Sequence, residues 1–218
     1  MPQLPDSGFD RVSSFYDPLS RLVFGSALEL AQLALLPFVP AKARMLLIGG
    51  GSGWLLEQLL RSGKELQILY LEASPNMLRK AQERTKASIK NTAVEFRLGT
   101  EDVLKAHEQF DVVLTPFLLD LFPAPRLHDL MHRLHTALIP GGLWLFADFW
   151  PVTSPAPLWQ HLLLKSMYVF FGVLSDVKAT QLPDFKAQFD RLYLQEVYAA
   201  SFYGGMVQAK VYRKAIEV

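Results

Sequence analysis

The hydrophobic pattern of the chain is a series of short apolar runs that alternate with amphipathic segments. Between the runs, apolar residues recur at helical spacing, which is typical of helices that pack on a sheet. Short apolar strands that alternate with helices favour a parallel sheet covered on both faces. We therefore predict an α/β fold with a doubly wound, mostly parallel, Rossmann-like sheet. The predicted strands cover residues 45–48, 66–71, 93–98, 110–114 and 143–147, and the predicted helices cover residues 54–61, about 125–138, and a segment that begins at Ser74 and Pro75.

The two ends of the chain depart from this alternation. Residues 193–203 and 206–212 are β-rich and are joined at Gly204 and Gly205, which predicts a C-terminal antiparallel hairpin. Residues 9–36 have a helical pattern that stops at Pro37 and Pro40. We predict an N-terminal helical cap over residues 1–40, lying over the open strand ends, and one α/β unit over residues 41–218.

A glycine-rich turn, Gly49-Gly50-Gly51-Ser52-Gly53, joins the first predicted strand to its helix. Glycines let a ligand approach the backbone, and a helix N-terminus offers N–H groups to polar ligands. The alternative is a plain tight turn. The dinucleotide fingerprint would need glycine where Trp54 stands, so the chain does not match it. The spacing Gly49-x-Gly51-x-Gly53 resembles instead the nucleotide-binding loop of class I S-adenosylmethionine-dependent methyltransferases.

Further motifs extend this resemblance over most of the chain, from residue 9 to about residue 213. Residues 9–17 (FDRVSSFYD), 72–78 (EASPNML), 110–113 (FDVV) and 138–142 (LIPGG) are similar to motifs of ubiquinone/menaquinone-biosynthesis-type methyltransferases. Two positions depart from the family, which usually has acidic residues where this chain has Leu47 and Thr100. Their loss removes a partner for the ammonium group of the cofactor and weakens hydrogen bonding to the adenine amine.

The cofactor-binding candidates lie at the ends of the predicted strands, where ligands of open α/β sheets bind. Glu72 ends the second strand, and its carboxylate can accept both hydroxyls of a ribose. Met77 can pack on the adenine, Thr100 and Glu101 can contact its edge, and Thr115 would lie near the methionine part of the cofactor. The complete predicted set is Tyr16, Gly49, Gly50, Gly51, Gly53, Glu72, Ala73, Met77, Thr100, Glu101 and Thr115.

Composition limits the other functions that the chain could have. Its 218 residues carry a net charge of +1 and include no cysteine, so we expect no nucleic-acid partner, disulfide or thiolate metal site. His128, His132 and His135 share a helical face, but the Glu of a zinc-binding HExxH motif is absent, and we interpret them as a solvated face rather than a metal site. The start of the chain has no signal-peptide pattern, and we expect a soluble, cytoplasmic protein.

The resemblance implies methyl transfer from S-adenosylmethionine, with S-adenosylhomocysteine as product. Methyl transfer requires a collinear nucleophile in a dry pocket, and an acidic acceptor would also need a base. The aromatic residues of 159–174 suggest a small apolar or aromatic acceptor. The alternatives are a non-catalytic nucleotide-binding protein on a degenerate methyltransferase fold, or an NAD(P)-dependent oxidoreductase. No single base can be chosen among Tyr16, Asp120, Asp148, His161 and Tyr203.

Overall fold

The computed structural model describes residues 23–88, 92–150 and 182–216. Its centre is a seven-stranded sheet with the strand order β3-β2-β1-β4-β5-β7-β6. β1 to β5 pair in parallel, and β7 lies antiparallel between β5 and β6. This arrangement confirms the predicted fold class and the C-terminal hairpin. The strands are β1 Arg44–Ile48, β2 Gln67–Glu72, β3 Ala93–Leu98, β4 Phe110–Pro116, β5 Leu138–Phe149, β6 Leu194–Phe202 and β7 Val207–Lys214.

Helices cover both faces of the sheet. The first face packs against α1, α2 and α3 in a core that includes Leu28, Leu56 and Ala81. The second face packs against α4 and α5 in a core that includes Leu134 and Phe189. The helices are α1 Ala27–Leu33, α2 Trp54–Arg61, α3 Pro75–Thr85, α4 Ala124–Ala137 and α5 Phe185–Arg191, and short 3-10 helices span Leu36–Phe38, Glu101–Val103, Leu119–Leu121 and Tyr203–Gly205.

α3 begins where the sequence predicts. Ser74 is the N-cap, and its hydroxyl accepts a hydrogen bond from the N–H of Met77 at 3.1 Å. Pro75 occupies the first turn, where its missing N–H costs nothing. The helix start therefore lies directly after the end of β2, where Ser74 is hydrogen-bonded to both Glu72 and Met77.

β5 is longer than predicted at both ends, because Leu138 pairs with Phe110 of β4 at its amino end and β7 extends it at its carboxyl end. The expected strand covered residues 143–147, whereas the structure has Leu138–Phe149. Asp148 and Phe149 pair with Gln208 and Val207 of β7, and this pairing cannot be read from local periodicity. Asp148 therefore lies inside β5 rather than after it. β4 likewise continues to Pro116, one residue beyond Thr115.

The predicted N-terminal cap is described from residue 23 onward. Its helix α1 ends at Leu33, earlier than the predicted residue 36, and a 3-10 helix follows over Leu36–Phe38. The Phe24 ring lies 5.1 Å from the Phe149 ring, so this segment reaches the carboxyl end of β5. Tyr16 lies outside the described residues, and the division into a cap and an α/β unit stays a prediction.

Candidate functional site

The glycine turn lies at the point where the strand order reverses between β1 and β4, which is the usual ligand crevice of an open α/β sheet. Gly51 and Gly53 have φ values of 60° and 83°, in the region that favours glycine. A Cβ at Gly53 would lie 2.7 Å from Ala81, so α2 and α3 approach closely there. Among residues 23–88, 92–150 and 182–216, no atom lies within 4 Å of where a Cβ at Gly51 would be, so these residues leave the outer side of this peptide open to a ligand.

Glu72 is bonded directly to the glycine turn. Its Oε2 accepts a hydrogen bond from the N–H of Gly51 at 3.0 Å, and its Oε1 accepts one from the N–H of Ser74 at 2.9 Å. The residue is only 8% exposed. These two backbone bonds orient the carboxylate, and an ionised carboxylate accepts hydrogen bonds at about four lone-pair positions. The structure thus brings together the carboxylate and the turn that the sequence predicts as partners.

Tyr70 and Leu118 also form this site, although the sequence analysis did not identify them. The Tyr70 hydroxyl donates a hydrogen bond to the carbonyl oxygen of Gly51 at 2.8 Å. The Leu118 side chain covers Gly49, where a Cβ would lie 2.8 Å from its Cδ1. The signal for Tyr70 was available, because residues two apart on a strand point to the same face and Glu72 had already been selected.

The end of β3 differs from the expected adenine-facing edge. Both carboxylate oxygens of Glu101 accept hydrogen bonds from the Arg126 guanidinium of α4, one of them at 2.9 Å. The Thr100 hydroxyl donates to an Asp102 carboxylate oxygen at 3.3 Å and accepts from the Asp102 N–H. Adenine contacts by Thr100 and Glu101 stay predictions, and the ion pair directs the Glu101 carboxylate toward α4.

The other predicted cofactor residues have mixed placements. Met77 is buried at the start of α3, and Ala73 is half-buried between Glu72 and Ser74. Thr115 is fully buried, and its Oγ1 accepts a hydrogen bond from the Trp144 Nε1–H at 3.0 Å. The Thr115 side chain therefore lies in the core of the second face, and a role beside the methionine part of the cofactor stays a prediction.

Asp120 and Asp148 form a buried carboxyl pair near the carboxyl ends of β4 and β5. Asp148 Oδ2 accepts hydrogen bonds from the N–H groups of Leu119 and Asp120 at 3.0 and 3.3 Å, and Oδ1 accepts one from Phe149 at 2.8 Å. The two carboxyl groups are hydrogen-bonded to each other. Burial raises the pKa of Asp120 to about 6, and burial together with the Asp120 charge raises the pKa of Asp148 well above its ordinary value. The pair therefore holds a proton in common at mildly acidic pH.

An aromatic cluster, made of Phe24, Phe117, Phe149 and Tyr203, lies beside this edge of the sheet. Its ring centroids are 5.1 to 5.6 Å apart along the series Tyr203, Phe24, Phe149 and Phe117. Phe117 has a φ of 51°, an uncommon backbone state for a bulky residue. The Tyr203 hydroxyl donates to the carbonyl oxygen of Val23 at 2.8 Å. The remaining base candidate, His161, and the predicted aromatic segment 159–174 lie outside the described residues.

The histidine face of α4 is only partly solvated. His128 and His132 are exposed, as expected, but His135 is half-buried at the end of the helix. Burial, the Lys214 charge and the His132 charge lower the pKa of His135 to about 4. Within the described ranges, no group of three His, Asp or Glu side chains could hold a metal ion. None of the helices in those ranges is long and apolar enough to cross a membrane.

Comparison with known proteins relates the middle of the chain to methyltransferases. Residues 46–144, from β1 into β5, match a family model described as a methyltransferase domain. This match and the fold agree with the resemblance to class I S-adenosylmethionine-dependent methyltransferases that the glycine spacing and the order of motifs predict.

Two curated relatives make the similarity more particular. The chain is 24% identical over 150 residues to the ubiquinone/menaquinone biosynthesis C-methyltransferase of Dinoroseobacter shibae, covering 67% of this chain and 59% of the relative. It is 29% identical over 104 residues to the carboxy-S-adenosyl-L-methionine synthase of Desulfotalea psychrophila, covering 46% of this chain and 42% of the relative. The matched region thus spans less than two thirds of either relative.

Solved structures share the fold at low sequence identity. The 1,6-didemethyltoxoflavin-N1-methyltransferase of Burkholderia thailandensis, determined with S-adenosylhomocysteine, is similar over 95% of this chain and 87% of its own, with a TM-score of 0.66 and 17% identity. The N-methyltransferase NodS of Bradyrhizobium japonicum, also determined with S-adenosylhomocysteine, has a TM-score of 0.64 and 15% identity, over 88% of this chain and 87% of its own.

Proposed function

We propose that this protein binds S-adenosylmethionine in the crevice beside Gly51 and Glu72 and transfers its methyl group to a small apolar or aromatic acceptor. The observation that carries the proposal is the 3.0 Å hydrogen bond from the Gly51 N–H to Glu72, with the outer side of Gly51 open. Two structural neighbours were determined with S-adenosylhomocysteine, which supports the same class of ligand here.

The residues at the crevice fit the parts of this cofactor. The Glu72 carboxylate accepts the ribose hydroxyls, because charged acceptors make the stronger hydrogen bonds. The open backbone at Gly51 and the N-terminus of α2 take polar groups of the cofactor. Met77 packs on the adenine with its polarizable thioether. The cofactor supplies an electrophilic methyl group, and the protein supplies position and a dry environment.

The acceptor side is formed by the aromatic cluster and the carboxyl pair. The aromatic rings present a largely apolar surface, which suits an apolar or aromatic acceptor and keeps water from the reacting groups. Asp148, Asp120 and Tyr203 are the candidate proton acceptors among the described residues, and Tyr16 and His161 remain candidates from the sequence. An acceptor that loses a proton on methylation would transfer it to such a carboxylate.

The direct test of the cofactor site is the substitution Glu72→Gln. The amide keeps the size of the side chain but places an NH2 group toward one of the two backbone N–H donors. We expect affinity for S-adenosylhomocysteine to fall by about 1–3 kcal/mol, or about five- to 150-fold in Kd, measured by isothermal titration calorimetry. Glu65→Gln is the matched control, because Glu65 is an exposed carboxylate just before β2. Unchanged affinity in a folded Glu72→Gln variant would falsify the proposed role.

A second experiment separates the alternative functions. Ligands that bind the native state raise the thermal unfolding midpoint, so a panel of S-adenosylmethionine, S-adenosylhomocysteine, NAD and NADP distinguishes a methyltransferase site from a dinucleotide site. Formation of S-adenosylhomocysteine with small phenolic and quinol-like acceptors then tests catalysis. Cofactor binding with no product from any acceptor would favour the non-catalytic nucleotide-binding alternative.

A further inference from the structure

Tyr70 lies fully buried beneath the glycine turn. It stands two residues before Glu72 on β2, so both side chains are on the face that packs against α2 and α3. Its ring lies 5.4 Å from the Phe96 ring, and its register partner on β1 is Leu47. The ring therefore lies among apolar side chains, and the Tyr70 hydroxyl, its only polar group, reaches the glycine turn.

The backbone of Gly51 is held from both sides by β2. The Tyr70 hydroxyl donates to the Gly51 carbonyl oxygen at 2.8 Å, and the Glu72 carboxylate accepts from the Gly51 N–H at 3.0 Å. These two contacts restrict rotation of the peptide groups on either side of the Gly51 Cα. Gly51 has a φ of 60°, and a glycine has many other accessible conformations. Restricting it to one conformation lowers the entropy cost of binding for a ligand that requires that conformation.

Gly50 is fitted to the Tyr70 ring. A Cβ at Gly50 would lie 2.5 Å from Tyr70 Cε2 and 2.7 Å from its hydroxyl oxygen. Because a contact under 3 Å cannot persist, any larger residue at this position must displace the ring. Displacing the ring also withdraws the hydroxyl from Gly51, so Gly50 and Tyr70 act on the turn through the same hydrogen bond.

We propose that Tyr70 is a positioning residue for the nucleotide site: its hydroxyl fixes the Gly51 peptide so that the Gly51 N–H keeps the Glu72 carboxylate aimed at the crevice. The inference rests on the proposed function, because it assigns Tyr70 to the same cofactor site. Tyr70 touches no reacting atom. It acts by preparing the turn before the ligand arrives, which lowers the ordering cost of binding.

The test compares Tyr70→Phe with Tyr212→Phe. Tyr212 is also a buried tyrosine, but it lies on β7, where its hydroxyl is hydrogen-bonded to Glu196. Both variants lose one hydroxyl. We expect Tyr70→Phe to bind S-adenosylhomocysteine about three- to tenfold more weakly, and Tyr212→Phe to match the wild type. In the unliganded protein, hydrogen exchange of the backbone over residues 46–57 should quicken in Tyr70→Phe alone.

The variant Gly50→Ala completes a double-mutant cycle. If the added methyl group displaces the Tyr70 hydroxyl, Gly50→Ala will weaken binding by itself, and adding Tyr70→Phe will weaken it no further. Independent effects that multiply would overturn the proposal, as would wild-type affinity and exchange in Tyr70→Phe. If the wild type binds no S-adenosylhomocysteine, the proposed function and this inference both fail. If only Tyr70→Phe is silent, the proposed function stands and the role of Tyr70 is refuted.

Discussion

The carboxyl pair Asp120 and Asp148 should lower the stability of the folded protein as pH rises, which is the opposite of the usual effect of acidic residues. Both groups are buried, at 5% and 0% exposure, and burial raises both pKa values. The folded protein therefore holds a proton on the pair at a pH where the unfolded chain has released it. The free energy of unfolding should fall as pH rises through the raised pKa values, because the native state then binds more protons than the unfolded state.

The variant Asp120→Asn isolates this contribution. Asparagine imitates a protonated carboxyl group in shape and can donate a hydrogen bond to Asp148. Asp148→Asn is less suitable, because three backbone N–H groups donate to that carboxylate. Taking Asp120 from an ordinary pKa of 3.8 to about 6 corresponds to about 3 kcal/mol, at about 1.4 kcal/mol for each pH unit. This figure is an upper limit for a pair that shares its proton.

The titration of His135 changes the free energy of unfolding in the opposite direction over the same pH range. The pKa of His135 is lowered to about 4 in the folded protein. The free energy of unfolding therefore falls as pH falls from about 6.5, the pKa of histidine in the unfolded chain, toward 4. This contribution is discounted by solvent screening, because the side chain is only half-buried. The wild-type pH curve alone therefore sums two opposing slopes. The difference between variant and wild type removes the histidine contribution.

The assay is urea unfolding of wild type and Asp120→Asn between pH 4.5 and pH 7.5, with Asp129→Asn, an exposed carboxylate on α4, as the control. We expect Asp120→Asn to gain stability relative to the wild type as pH rises, by up to about 2 kcal/mol over this range, because the range begins above the unfolded pKa of 3.8. This gain should be specific to Asp120→Asn. A constant difference for Asp120→Asn would refute the shared proton. Such a result would leave the hydrogen bonds of Asp148 to the backbone as the sole role of the pair.

Two further predictions concern stability away from the carboxyl pair. Glu108 accepts hydrogen bonds from Arg97 at 2.7 and 2.9 Å, which hold its pKa at about 2. Glu108→Gln should therefore cost about 1.5–3 kcal/mol at pH 7 and progressively less as pH falls from 4.5 toward 2, with the exposed Glu65→Gln as control. Equal costs at pH 7 and pH 2 would contradict this reasoning. Ser74→Ala should lower the free energy of unfolding by about 1 kcal/mol through loss of the N-cap of α3, and Ser74→Asp should restore most of it in urea unfolding. No loss in Ser74→Ala would show that Pro75 and packing alone start the helix.

Local patterns predict the centre of this fold well because β1 and β2 are buried on both faces. β1, β2 and β3 lie within a residue of their apolar runs, and α3 begins at the predicted Ser74 cap. The carboxyl end of β5 was missed because its pairing partner, β7, lies about 60 residues away in the chain. Local periodicity carries no information about such a partner.

The parts of the site that were predicted depend on local sequence, and the parts that were missed depend on tertiary packing. Glu72 and the glycine turn follow from position along β1 and β2, and their hydrogen bond joins residues 21 apart. The ion pair of Glu101 with Arg126 and the pairing of Asp120 with Asp148 depend on how α4 and β5 dock, 25 and 28 residues further along the chain. The sequence therefore identifies which residues reach the sheet edge, whereas the direction of each side chain depends on tertiary packing.

The glycines of the turn illustrate why one spacing rule contains several physical requirements. A Cβ would clash with Leu118 at Gly49, with the Tyr70 ring at Gly50 and with Ala81 of α3 at Gly53. A different neighbour therefore requires glycine at each of these three positions. Within the part of the chain that the structure describes, Gly51 is the one of these four glycines with open space where a Cβ would be. Its backbone is also the one that Tyr70 and Glu72 hold. A turn that only connects two elements does not require an open peptide to be fixed by two hydrogen bonds. A ligand site benefits from this restriction, because a ligand at Gly51 binds more tightly when the turn is already ordered in the conformation that it needs.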